Sequence, residues 1–267
     1  MILYAGSLLV ALTFMNLTVP ARGQGVQIVN LELVLLVDVS ASVNDDEYRL
    51  QARGLATAFR SAGVLDAIRT MTPRGIAVCL VQWADGAHQH KSIDWTLLRN
   101  EGDAYRLAGD LYSMQRQIRS GHTALGDALL FALNELQTNK FEGLRRVIDL
   151  SGDGRKNDGT SLRAAREEVL GHRVTINGLA ILNELPLLGK YFQRQLIGGE
   201  ASFALTAQGY GDFAQAMSEK LEREIRSAPL AENLSPDQSA VRVTTVTYPH
   251  AGSPPAGTNT PAANSLP

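Results

Sequence analysis

A single cysteine, Cys79, stands among the 267 residues, so no disulfide can form within the chain and its stability must come from a packed core. Cys79 lies in the apolar run Ile76-Ala77-Val78-Cys79-Leu80-Val81, where a small thiol packs as a hydrophobe rather than acting as a nucleophile. Runs of basic residues are missing too. With a net charge of -2 and Lys and Arg interspersed among Asp and Glu, there is no cationic stripe to displace phosphate counterions, and no nucleic-acid partner is expected. No Gly-x-Ser-x-Gly occurs, which removes the nucleophile of an α/β hydrolase. No Gly-rich phosphate loop occurs either. Beyond residue 23 no apolar stretch is long enough to span a bilayer.

What is present begins with an uncharged apolar run, Ile2 to Val19, broken by Pro20-Ala21-Arg22-Gly23. Small residues at a break after such a run suit a signal peptidase, although no basic residue precedes it. Residues 1–23 therefore read as a signal peptide or a membrane anchor, with the folded part outside the cytoplasm. At the other end, residues 229–267 lose all periodicity and fill with Pro, Ala, Ser, Thr, Gly and Asn. This tail is expected to be disordered, being too poor in large apolar groups to offset the entropy of ordering.

Between these ends, β-type runs alternate with helical periodicity. Leu31 to Val37 is almost continuously apolar, as in strands covered on both faces. Asn44 with Glu47 makes a capping box, and Ala52, Leu55 and Phe59 share the face of the helix that follows. Further strands are expected over Ile76–Trp83, His90–Leu97, Val147–Leu150, Val174–Ile181 and Phe203–Leu205. An amphipathic helix should carry Leu107, Leu111, Met114 and Ile118, and a buried one should run from Ala124 to Leu136. Later helices should show Leu162, Ala165 and Val169, then Phe213, Met217, Leu221 and Ile225. This alternation predicts a doubly wound α/β domain over residues 28–226, with a mainly parallel sheet flanked by helices on both faces.

Three polar segments fall where strands end. Asp38-Val39-Ser40-Ala41-Ser42 follows the first strand and can turn one carboxylate and two hydroxyls toward a common point, a donor set that suits a hard cation. Taken alone it is equally a turn or cap. Thr123, after Gly121 and His122, opens the buried helix, where a plain N-cap is the competing explanation. Asp153, between Gly152 and Gly154, follows a later strand and could be a turn aspartate. Ligands of open α/β sheets bind beyond the carboxyl ends of the strands where strand order reverses. If the first strand and the one before Asp153 flank that point, Asp38 and Asp153 face each other.

In that order, Asp-Val-Ser-Ala-Ser, Gly-His-Thr-Ala-Leu-Gly-Asp-Ala-Leu and Asp-Leu-Ser-Gly-Asp-Gly resemble the metal-ion-dependent adhesion site (MIDAS) of von Willebrand factor A domains, a Rossmann-like fold. More narrowly, residues 145–154, 175–181 and 196–199 are similar to a group of bacterial exported proteins of unknown function. The resemblance implies that Ser40, Ser42 and Thr123 supply hydroxyl oxygens to a divalent ion, Mg2+ or else Mn2+ or Ca2+, with Asp38 and Asp153 close by and commonly acting through water. It also implies that an open coordination position takes an Asp or Glu carboxylate from a protein partner. His122 stands where the family often has glycine, and with Gly154 it is expected on the partner-binding rim.

Other candidates are weaker. An aspartyl-phosphate phosphatase would need a second carboxylate two residues after Asp38, where Ser40 stands. His88 and His90 would share a strand face but have no third ligand at useful spacing. Residues 153–159 resemble a calcium loop only in passing, because Arg155 and Lys156 occupy ligand positions. Trp83 and Trp95 read as core. Two functions remain: an exported, periplasmic or secreted, metal-dependent protein-binding module, and a metal-dependent hydrolase. The first is favoured, because His122 is the only titratable group left beside the three loops.

Overall fold

The structure, a computed structural model, describes residues 25–229. The expected leader or anchor (1–23) and, past Pro229, the expected tail (229–267) lie outside the described residues. Six strands form one sheet: β1 (Gln27–Asp38), β2 (Ile76–Trp83), β3 (Gln89–Leu98), β4 (Phe141–Gly152), β5 (Thr175–Ile181) and β6 (Ala204–Ala207). Their order is β3-β2-β1-β4-β5-β6, and every neighbouring pair is parallel except β2 with β3. Helices α1 (Asp45–Ala58), α2 (Ala62–Thr70), α3 (Glu101–Ser113) and α7 (Phe213–Arg226) pack on one face. Helices α4 (Leu125–Thr138), α5 (Leu162–Gly171) and the short α6 (Leu188–Tyr191), which continues into a π-helical turn, Phe192–Leu196, pack on the other. The fold is doubly wound α/β, as the alternation of strand and helix signals predicts.

The apolar run of β1 explains its central place. Leu33, Leu35 and Val37 enter the core under α1, α2, α3 and α7, while Val34 and Leu36 enter the core under α4 and α5. A strand apolar on both faces can only be satisfied between two helix layers. β1 pairs with β2 on one side and β4 on the other, and the chain's order reverses between β1 and β4. The register sets Val37 opposite Ser151, so Asp38 and Asp153 leave the sheet side by side.

Several local expectations hold, one needs correction, one helix is additional and one competing explanation falls away. Asn44 accepts from Asp46 N and Glu47 N, and Glu47 returns a bond to Asn44 N, completing the capping box. Trp83 and Trp95 are buried. The helix expected to carry Met114 and Ile118 stops at Ser113, and Met114 is extended. Its continuation is held instead by buried Gln82, which donates to Gln115 O at 2.8 Å and accepts from Gln117 N at 2.8 Å. Helix α2, with Val64, Leu65 and Ile68 buried, is too short to stand out by periodicity. Thr123 is not the N-cap of α4: that place belongs to Ala124, with no side-chain cap bond.

Candidate metal centre

At the carboxyl edge between β1 and β4 the loops bring four of the five expected residues into a continuous chain of contacts. Ser40 N donates to Asp38 Oδ1 at 2.8 Å, which folds the segment back over its own strand end. Ser40 Oγ and Ser42 Oγ are 3.2 Å apart, and Ser42 Oγ donates to Asp153 Oδ1 at 2.8 Å. Thr123 reaches the same place from the third loop. Its position is fixed through Asn157, which accepts from Thr123 N at 2.7 Å and whose own N–H donates to Thr123 O at 3.1 Å. Ala41 N donates to Gly121 O, tying the first loop to the third.

Two glycines make the approach of these groups possible. A Cβ on Gly152 would stand 2.8 Å from Asp38 Oδ2, and one on Gly154 would stand 3.1 Å from Thr123 Oγ1. Gly154 thus lies against the Thr123 hydroxyl. His122 is exposed beside it.

Electrostatically the centre is unbalanced. Asp38, Ser40, Thr123 and Asp153 are buried, whereas Ser42 is open to solvent. Asp38 Oδ2 is buried with no hydrogen-bond partner. Burial, and secondarily the neighbouring charge of Asp153, push the Asp38 carboxyl up to about 7. Two buried carboxylates with one orphaned oxygen are what a cation would relieve. Among the described residues no three His, Cys, Asp or Glu side chains gather as a metal group; here the donors are two carboxylates and three hydroxyls, the oxygen set of a hard cation. The residues therefore fit a hard divalent cation.

Three participants escaped the sequence reading. Tyr210, in the turn before α7, donates to Asp153 Oδ2 at 2.9 Å; burial, then the charges of Asp153 and Asp38, hold its hydroxyl in the protonated form. Gln51 in α1 donates to Asp38 O at 2.9 Å. Asn157 orients Thr123. Of these only Gln51 left a trace in the sequence, a polar side chain four residues before Leu55 on an otherwise apolar helix face. The His88 and His90 pair is not assembled: His88 sits in the turn before β3 with its ring 2.6 Å from Asp85 Oδ1.

Residues 28–229 match the family model described as "Protein of unknown function (DUF1194)". The chain belongs to that family. No match to a curated protein was found. Among solved structures, this DUF1194 chain resembles proximal thread matrix protein 1 from the mussel byssus, in a structure with a zinc-occupied MIDAS motif, at 19% identity and a TM-score of 0.54 over 73% of this chain and 46% of that one. It therefore spans less than half the length of the mussel protein. The PilB minor pilin from Streptococcus sanguinis is similar at 12% identity and a TM-score of 0.57, over 79% of this chain and 64% of that one. The von Willebrand factor domain of the type V pili tip protein Mfa5 from Porphyromonas gingivalis aligns at 11% identity and a TM-score of 0.50, over 76% of this chain and 99% of that one. These likenesses establish a von Willebrand factor A-like fold.

Proposed function

We propose that the chain is a metal-dependent binding module in which Asp38, Ser40, Ser42, Thr123 and Asp153 hold a divalent cation that captures an Asp or Glu carboxylate of a protein partner. The observation that carries this reading is the buried, unpartnered Asp38 Oδ2 in a cluster of two carboxylates and three hydroxyls at the strand-order switch. The zinc-occupied MIDAS of the mussel protein supports it by analogy of fold. When bound, the ion supplies a Lewis-acid position that exchanges water for a carboxylate.

The chain's own residues do the rest. Ser42 donates its proton to Asp153 and so accepts from Ser40, which keeps one oxygen lone pair free for a cation. Asp153, with both oxygens engaged by Ser42 and Tyr210, is held in one orientation and contributes charge without rearranging. Mg2+ is the favoured ion, with Mn2+ or Ca2+ as substitutes, because neutral hydroxyls and carboxylates are hard oxygen donors. We assign a binding rather than a hydrolytic role, since all five residues serve the cation and His122 is exposed at the rim. Export to the periplasm or beyond is part of the proposal, supported by the pilin and pilus-tip neighbours; among the described residues no helix is long and apolar enough to cross a membrane.

Calorimetry of Mg2+ and Mn2+ binding to metal-stripped protein tests the site, with Asp38→Ala and Asp153→Ala as controls. Loss of binding in both variants is expected; retention in both would remove the assignment. Hydrolysis of phosphate or peptide substrates that vanishes in His122→Ala would overturn the non-enzymatic part.

A further inference from the structure

Beside the metal centre, on the β5 side, lies a cavity of about 260 Å³ lined by Arg155, Leu187, Lys190, Tyr191, Arg194 and Gln195. None of these is acidic. Arg155, Lys190 and Arg194 make no ion pair among the described residues, so three cations converge unneutralised on a chain whose net charge is -2. Leu187, 56% exposed, is one of the few large apolar side chains left in solvent. Tyr191 joins this patch to the metal loop: the Arg155 guanidinium lies 5.5 Å from its ring centroid, and its hydroxyl accepts from Lys156 N at 3.4 Å. Arg155 is two residues past Asp153.

A second basic cavity, of about 240 Å³, contains Arg49, Arg53, Arg116 and Arg119, but there the protein supplies its own acids. Asp45 takes both Arg116 and Arg119, and Asp46 pairs with Arg49. Of these two cavities, the Arg155 cavity is the one left without a counter-charge among the described residues.

We propose that this cavity is a second docking point for the metal site's partner, an acidic polypeptide segment. One of its carboxylates would meet the metal, further Asp or Glu residues would meet Arg155, Lys190 and Arg194, and an apolar side chain would lie on Leu187 and Tyr191. The inference rests on the proposed function for its metal end only. Guanidinium and ammonium groups already unpaired lose no internal partner on binding, and like-charged clusters of this kind raise association rates with acidic partners.

The test uses a fluorescein-labelled hexaglutamate peptide as probe, in Mg2+ and in chelator, with the double reversal Lys190→Glu/Arg194→Glu. Both side chains are exposed, so the variant should fold, as a thermal melt will verify. Peptide affinity is expected to fall about tenfold or more while calorimetric Mg2+ affinity stays unchanged. Equal peptide affinity in variant and wild type, or no binding by wild type in either condition, would overturn the cavity's role and leave the metal site standing. Binding in chelator that the reversal abolishes, in a protein that takes up no Mg2+, would uphold the cavity and sink the metal reading. A dodecathymidine strand bound as tightly as hexaglutamate, with the same dependence on Lys190 and Arg194, would overturn the assignment to an acidic polypeptide.

Discussion

Tyr210 and Ser42 grip opposite oxygens of one carboxylate: Tyr210 Oη donates to Asp153 Oδ2 at 2.9 Å and Ser42 Oγ to Oδ1 at 2.8 Å. Asp153 is thereby fixed from both sides, by residues 57 positions ahead and 111 behind it in sequence. Replacing Tyr210 with Phe keeps the ring in its buried place and removes only the donor. Leaving a buried carboxylate oxygen without its hydrogen bond costs about 1–3 kcal/mol, and the freed carboxylate samples other orientations. Tyr210→Phe should therefore melt a few degrees lower and bind Mg2+ several-fold more weakly by calorimetry. An affinity equal to wild type would mean that Asp153 does not need the tyrosine.

Gly154 offers a sharper probe of Thr123. A methyl group added there would stand 3.1 Å from Thr123 Oγ1 and 3.3 Å from its Cγ2, so the threonine must yield by a few tenths of an ångström. Gly154 has no positive φ, so the backbone tolerates alanine. Gly154→Ala is expected to keep most of its stability, within about 1 kcal/mol, while losing about tenfold in Mg2+ affinity. Unchanged affinity would place the Thr123 hydroxyl outside the ion's shell.

Asp38 should show opposite signs with and without metal. Its carboxyl is raised to about 7 by burial and by Asp153. A raised folded-state value means that ionisation costs stability, and the cost grows as pH rises from the ordinary carboxylate range through about 7. Metal-free wild type should thus be less stable at pH 8 than at pH 6, and Asp38→Asn should remove the part of that loss that Asp38 contributes. Mg2+ at one hundred times its dissociation constant stabilises a binding-competent protein by about 2.7 kcal/mol; Asp38→Asn should forfeit this gain. Thermal melts at both pH values, with and without Mg2+, distinguish the four cases. If Asp38→Asn lowers stability in chelator at pH 8, the picture of an uncompensated charge is wrong.

The sequence made the frame of this site legible because its signals are local. The two-sided apolar run of β1, the Asn44–Glu47 capping box and the glycines around Asp153 each speak within a few residues. The pairing of Asp38 with Asp153 followed from a topological rule, and the β1–β4 register bears that rule out. Tyr210 and Asn157 were invisible because their roles exist only after the chain has folded, across separations of 57 and 34 residues. The end of α3 departs from local periodicity for the same reason: Gln82, on a distant strand, captures the segment that periodicity alone would keep helical.

A last prediction concerns charge buried far from solvent. Lys220 in α7 approaches Asp149 Oδ1 at 2.5 Å and Glu224 Oε1 at 2.6 Å, and all three side chains are inaccessible or nearly so. Asn177 on β5 donates to the same Glu224 oxygen at 2.9 Å, whereas neither Asp149 oxygen receives a well-directed hydrogen bond. One ammonium cannot balance two buried carboxylates. Burial and the Glu224 charge push the Asp149 carboxyl up to about 8, outweighing the attraction of Lys220. Asp149 therefore carries the proton near neutrality, and stability is lost as pH rises from the carboxylate range through about 8. Asp149→Asn mimics the protonated form and keeps the Lys220–Glu224 pair, so urea melts should show a flatter decline between pH 6 and 9 than in wild type. Lys220→Met strands both carboxylates and should cost about 3–5 kcal/mol. Parallel pH profiles for Asp149→Asn and wild type would instead mean that Lys220 keeps Asp149 ionised throughout.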